Sequence, residues 1–525
     1  MKNARFTERS AGLIKQPFRV TFPLYTVTLT IMSMFIVIFC VSFFVAYFDP
    51  NFVAEYRAAS PISTVLGFMK GINPFQEEFL EMYGNLYSVL WPGVIYLIAK
   101  LFGLATYDQI RLLMFVLNAV IVMGTAAAAF YIGLRNKLNA LLALAIGFTY
   151  VLINSTHLSM GTFSYASGLS CSFFALVLVS NRFDRLGLCL ALALITLASL
   201  FKIYFALLGI VVLFNCAAFI PLRILSLITF AWALLTASLF FGLTRFFPFY
   251  FDSVYCIHKM DPSWNVTRIM PNIRWFVTHF GFIFAFTLPQ LVQFKHRATG
   301  EKRRQSFYAV GSLIACAFVL IIMLPHGGNF GTYLLHLVAP IILAYALSSR
   351  KEFSAEFDRR TGQVVALAIC LMVFVSPKHW SSPLQYWEQY GVVWRDDLNS
   401  NRIVFMNVDD LIQSNAGREI YVDPMFAKLA VKRNLRYVHN GNREAYVEYL
   451  NVRRKGTLKL SPLISWLAAP EVRGPERSGL IAVWEHSDVV ICTYPCPSEG
   501  KRFDRYLGKL TTAWHQVYDI AVVRR

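Results

Sequence analysis

The sequence predicts a polytopic α-helical membrane protein with about 11–13 spans, followed by a small soluble α/β domain at the C-terminus. Composition, the length of the apolar runs and the uneven placement of charge predict it. Of 525 residues, 56% are apolar or aromatic and only 15% are charged, and the mean hydropathy is +0.51. A soluble globular protein carries about 25% charged residues, so this chain has too few to cover a water-facing surface. Residues 378–525 hold 21 of the 49 Lys and Arg and 16 of the 30 Asp and Glu, whereas long apolar runs fill the chain before Pro377. These features exclude a soluble enzyme, a fibrous protein and a disulfide-framed secreted domain. They divide the chain into a membrane domain, 1–376, and a soluble domain, 377–525. The basic excess is spread over short loops and forms no patch or stripe of the kind nucleic acid requires.

A bilayer core needs roughly 20 apolar residues as helix. Pro23 to Phe48 has no charged residue and follows Lys2, Arg5, Arg9, Lys15 and Arg19. It is too long for a signal-peptide core, so it reads as an anchor with a cytoplasmic N-terminus. Further runs lie near 112–134, 138–155, 163–180, 186–202, 203–220, 222–243, 276–294, 307–324, 331–348 and 362–376. Arg135 and Lys137, Arg182 and Arg185, Arg223, the basic run 295–304, and Arg350 with Lys351 mark cytoplasmic loops. These alternate consistently and put the C-terminal domain on the outer face. One shorter run, 87–104, conflicts with the rest: as a full span it would set segment 49–86 and the Arg135 loop on incompatible sides. It is either re-entrant or interfacial, or one basic loop breaks the rule.

The outer face then carries loop 49–86, loop 244–275 and the turn 325–330. Within the first, Ser60 suits a helix cap, Pro61 the first helical position and Gly71 the end. Ile62, Val65, Leu66 and Met69 form one apolar stripe between them, which predicts a short amphipathic helix lying on the membrane surface. Asp49 and Glu55 precede that helix at the bilayer edge, where partial desolvation suits a carboxylate to take a proton. A solvated interfacial acid without chemistry is the other reading of the same spacing.

The module formed by Glu55-Tyr56-Arg57, Gly71-Ile72-Asn73-Pro74-Phe75, Tyr83-Gly84-Asn85-Leu86-Tyr87-Ser88-Val89-Leu90-Trp91-Pro92 and Leu101-Phe102-Gly103 resembles the opening of the GT-C superfamily. Its members are membrane glycosyltransferases that use polyprenyl-phosphate-linked sugars; they include protein O-mannosyltransferases, lipid A aminoarabinose transferases and oligosaccharyltransferase catalytic subunits. The match covers about 49–111 by motif, and the rest of the membrane domain by layout. The resemblance implies a loop carboxylate as catalytic base, with Glu55 the best-matching position and Asp49 its rival. Tyr56, Arg57, Asn73, Tyr83 and Asn85 become substrate-binding candidates on the same ground. Leu200-Phe201-Lys202 and Gly328-Asn329 through Tyr333 resemble the family more weakly.

That chemistry suits these residues. The leaving lipid phosphate is already a stable anion, so no general acid is required. One carboxylate takes the acceptor's proton and cations hold the phosphate. Lys202, Arg245, Lys259, Arg268 and Arg274 are the candidate cations. Lys202 stands between two apolar runs, where an ionisable residue is a functional candidate; a lysine that only marks the span end is the alternative. His258-Lys259 and the turn His326 to Asn329 are further outer-face candidates. A divalent cation is compatible with Asp49, Glu55, His258 and His326, but no ligand spacing demands one, and the metal is unassigned. The soluble tail predicts strands at 402–406, 419–422, 436–438, 479–484, 488–493 and 520–523, with helices at 425–433 and 443–454. It would bind acceptor glycan or brace the membrane domain.

The expected function is transfer of a sugar from a polyprenyl-phosphate donor to a glycan, lipid or polysaccharide acceptor, at the periplasmic face of a bacterial inner membrane. A transporter or flippase of lipid-linked glycans is the alternative. Few mid-membrane ionisable residues and no inverted repeat speak for transport.

Overall fold

In a computed structural model the described residues are chiefly 56–76, 88–160, 164–250, 330–348, 393–437, 487–493, 502–511 and 517–524, apart from isolated positions, with scattered residues of 26–49 and 267–317. The protein is mostly helical, with a small mixed sheet near the C-terminus. The helical part comprises α1 (Tyr56–Met69), α2 (Leu90–Leu101), α3 (Tyr107–Arg135), α4 (Ala140–Met160), α5 (Ser164–Asn181), α6 (Arg185–Phe201), a 3-10 turn (Ile203–Ala206), α7 (Leu207–Cys216), α8 (Leu222–Phe246) and α9 (Phe330–Ser348). Among the described residues, α3 and α8 are long and apolar enough to cross a bilayer. The expected runs at 23–48, 276–294, 307–324 and 362–376 lie wholly or largely outside them.

The surface of α8 shows what surrounds it. Leu222, Phe230 and Phe246 are 75%, 68% and 75% exposed, and Leu227, Leu235 and Phe241 are exposed as well. A continuous apolar face of this kind is untenable in water and is the natural surface of a lipid-facing helix. On its inner side, Trp232 donates to Thr196 on α6 (2.8 Å).

The direction of each helix follows from contacts at its ends. Near the start of α9, His336 meets Tyr204, just beyond the end of α6 (2.8 Å). At the other end of α9, the Leu347 carbonyl accepts from Asn136, just beyond α3 (2.8 Å). So α3 begins at the end of the bundle where α6 finishes. Ser88, two residues before α2, donates to the Leu200 carbonyl of α6. Both ends of α2 therefore lie at that same end, and its 12 residues span only about 18 Å. Residues 90–101 therefore form one short helix that does not run the length of the bundle. Leu97, Leu101 and Phe102 remain 66%, 80% and 69% exposed on it. Gly103 follows at φ +66°, and the Leu104 amide closes back on the Ala99 carbonyl (2.9 Å), a left-handed stop that favours glycine. Thr106 then opens α3 by a capping box with Gln109.

The first-loop helix differs from expectation at its start and in its surroundings. It begins at Tyr56, with Pro61 inside it, instead of being capped by Ser60. Gly71 (φ +72°) does end it. Ile62, Val65 and Leu66 are buried in the protein core against α2 and α3, and Ala59 belongs to the core of the C-terminal domain. An apolar stripe wants any apolar partner, and here the partner is protein on both sides instead of a membrane surface.

In the C-terminal part, α10 (Val393–Ser414), β1 (Ile420–Val422), α11 (Ala427–Arg433), β2 (Arg436–Tyr437), β3 (Val489–Thr493), β4 (Arg502–Thr511) and β5 (Val517–Arg524) form a layer of helix on a sheet of order β2-β1-β3-β5-β4. The first three strands are parallel, and β5 and β4 continue antiparallel. Residues 402–406, expected as strand, are helical. Val404, Val408, Leu411 and Ile412 recur at helical spacing and pack on Val422, Ile491, Leu510 and Val522. Asn401 pins β4 to α10 through both of its amide atoms on Thr511 (2.8 Å each). The expected elements at 443–454 and 479–484 lie outside the described residues.

Asp423, at the end of β1, is fully buried. Its carboxylate accepts from the Met425 amide (2.9 Å) and from Thr493 at the end of β3 (3.3 Å). Burial pushes its carboxyl above the usual range, and the two hydrogen bonds only partly oppose this. A raised folded-state pKa means its contribution is full below about pH 4 and is lost as pH rises through the folded value. Asp423→Asn is therefore expected to lag wild type most in acid. Thermal melts of the detergent-solubilised chain should show a larger deficit at pH 4.5 than at pH 7.5, and an equal deficit at both would refute it.

Candidate active site at one end of the bundle

Three chain segments are stitched together at the end where α6, α8 and the first loop meet. Asn73 accepts the Phe75 amide on its side-chain oxygen (3.0 Å) and donates to the Phe246 carbonyl at the end of α8 (3.1 Å). The Phe249 amide donates to the Phe75 carbonyl (3.2 Å). Phe75 is fully buried between Phe247 and Tyr250, edge-on to both rings. Ser88 bridges the Leu200 carbonyl and the Tyr250 hydroxyl (3.0 Å to the latter). The carbonyl it meets is one that α6 leaves without a helical partner at its C-terminus. Asn73 thus acts here as a fastening between loop and helix.

Lys202 caps α6 in an extended conformation (φ −153°, ψ 124°). Its ammonium stands 5.1 Å from the centre of the Tyr165 ring, at the start of α5, an attraction between cation and π face. Beside it, Tyr204 shares a hydrogen bond with Nδ1 of His336, and the two rings lie 6° from parallel. Tyr165 also packs on His336, with centroids 4.9 Å apart. Phe205 presses on Gly168, where a Cβ would come within 2.4 Å of the ring. The cation is therefore half-buried at the edge of a wall of Tyr165, Tyr204, Phe205 and His336. Such a group supplies positive charge, two hydroxyls and aromatic faces, suited to a phosphate joined to a sugar.

Asp49 is half-buried, and its backbone carbonyl accepts from Arg111 Nη2 on α3 (2.9 Å). Tyr56 and Arg57 open α1, and Tyr333 lies in the first turn of α9. Arg245 lies in the last turn of α8, at the same end. Glu55, Tyr83, Asn85, His258, Lys259, His326 and Asn329 lie outside the described residues. Among the described residues no three His, Cys, Asp or Glu side chains gather to hold a metal ion.

Sequence reasoning named Lys202, Asn73 and Asp49 and missed the partners that hold them. Tyr165, Tyr204 and Tyr250 carry no local signal, because each comes from a different part of the chain, and Ser88 lies in the first-loop module without a signal of its own. Arg111 had one: it sits three residues after Asp108 on a helix (3.8 Å between the charged groups), a spacing that pairs charges.

No protein-family model and no curated protein matches this chain. Solved structures similar to it include ArnT from Cupriavidus metallidurans in the apo state, at 14% identity over 94% of this chain and 97% of that one, with a TM-score of 0.47. A second ArnT structure, bound to undecaprenyl phosphate, gives the same values. The apo oligosaccharyltransferase of Archaeoglobus fulgidus is similar at 13% identity and a TM-score of 0.47, over 89% of this chain and 69% of that one. At that depth the functional reading stands on this chain's own residues.

Proposed function

We infer that this chain transfers a sugar from a polyprenyl-phosphate donor to a glycan, lipid or polysaccharide acceptor, working at the periplasmic face of a bacterial inner membrane. One observation carries the reading: the first-loop module and Lys202 meet at a single end of the helical bundle, joined by Ser88 on the Leu200 carbonyl. The reading is supported by a half-buried cation at the end where the first-loop module meets α6, and by the exposed apolar side of α8.

In the reaction, Glu55 takes the proton of the acceptor hydroxyl, and the freed oxygen pair forms the bond to the anomeric carbon. The bond from that carbon to the phosphate oxygen breaks, and the polyprenyl phosphate leaves with the electron pair. Lys202 stabilises the charge on that phosphate, Asp49 assists at the loop, and the lipid tail stays in the bilayer beside α8.

Binding of the spent carrier tests this reading. Purified chain in lipid nanodiscs should melt several degrees higher with undecaprenyl phosphate than with undecaprenol, because only the former offers an anion to Lys202. Equal melting with the two lipids would contradict the phosphate site.

A further inference from the structure

The C-terminal domain touches the membrane domain at a place the proposed chemistry would feel. Lys428, in the first turn of α11, pairs with Asp108 at the start of α3 (2.5 Å). Asp108 faces Arg111 one turn later (3.8 Å). Arg111 is buried and donates to the backbone carbonyl of Asp49 (2.9 Å). Three charged side chains thus run from the soluble domain to the backbone at the entrance of the first loop. At the loop's other flank, Ala59 on α1 is buried in the C-terminal core with Met425, Phe426 and Ala427. Tyr107 and Val431 pack against both cores. Asp49 and Ala59, which flank Glu55 in sequence, are thus each held by groups that the C-terminal domain supports.

We propose that the C-terminal domain positions the catalytic loop, and that Lys428, Asp108 and Arg111 are its positioning residues, acting through the Asp49 carbonyl. The proposal rests on the reading that this loop carries the base. A bound acceptor is not needed for this role, and neither is direct contact between the soluble domain and the donor. The contacts fall on Asp49 and on Ala59, one on each side of Glu55 in sequence, and their proposed role is to limit the movement of the loop between them. Fixed geometry of that kind acts on the chemical step more than on binding. A pair in which each side chain is about one-third exposed contributes modestly to stability, so its loss should loosen the loop without unfolding the chain.

The test uses the full chain in nanodiscs, as wild type, Lys428→Met and Lys428→Arg. Methionine keeps the packing of the stem and removes the charge; arginine keeps the charge. Hydrogen exchange of the peptide spanning 48–60 should quicken about fivefold in Lys428→Met and return to the wild-type rate in Lys428→Arg. With the transfer assay, kcat should fall in the methionine form, with donor KM within about twofold, and recover in the arginine form. Unchanged exchange in 48–60 with Lys428→Met would overturn the proposal, as would a kcat loss that arginine fails to restore. The exchange readout needs no activity, so it stands even where Glu55→Gln retains transfer and the reading of the base fails.

Discussion

Glu55→Gln is expected to lower kcat/KM for sugar transfer by about 10²- to 10⁴-fold, the usual contribution of a general base. Glutamine preserves the size and most of the hydrogen bonding of glutamate, but it cannot accept the acceptor's proton. The loss should therefore appear in kcat, with donor KM nearly unchanged. A nearby control sharpens the result. Asp49 is tied to α3 through its backbone carbonyl, which Asp49→Asn leaves intact, so that variant should lose much less. The reverse order of effects would move the base to Asp49.

Lys202→Met is expected to raise donor KM about 10- to 100-fold, since a charge-assisted hydrogen bond contributes roughly 1.5–3 kcal/mol. The substitution should spare the fold. The ammonium contacts the Tyr165 face, and a methionine stem fills a similar space with a sulfur that also favours aromatic rings. Lys202→Arg should keep much of the affinity. Steady-state kinetics against donor concentration, paired with thermal melts, separates loss of binding from loss of folding. A lysine that merely marks the end of a span would leave donor KM at its wild-type value.

How legible these features were depended on the range of the interaction behind them. The apolar runs that became α3 to α6, α8 and α9 follow from hydropathy alone, because a long apolar run is encoded residue by residue whether its partner is lipid or another helix. The Gly71 stop was readable for a local reason too: a left-handed residue after a helix selects glycine. The stripe Ile62, Val65, Leu66 was visible, but its partner was not, since periodicity cannot separate lipid from a second protein layer. For 402–406 a short apolar alternation outweighed the longer spacing Val404–Val408–Leu411, and the helix was missed. The wall around Lys202 joins α5, the turn after α6 and α9, separated by many tens of residues, so no window on the chain contains it. The run from Lys428 to Asp49 is of the same kind: Asp108 and Arg111 are close in sequence, but what they connect is not.

The central claim, that a first-loop carboxylate drives transfer from a polyprenyl-phosphate sugar, is tested most directly in cells. Glycolipids and polysaccharides from cells lacking this chain, complemented with wild type or with Glu55→Gln, are compared by mass spectrometry. The account predicts a missing mass of hexose or pentose size that wild type restores and Glu55→Gln does not. Full restoration by Glu55→Gln, or an unchanged glycan profile when the chain is absent, would contradict it.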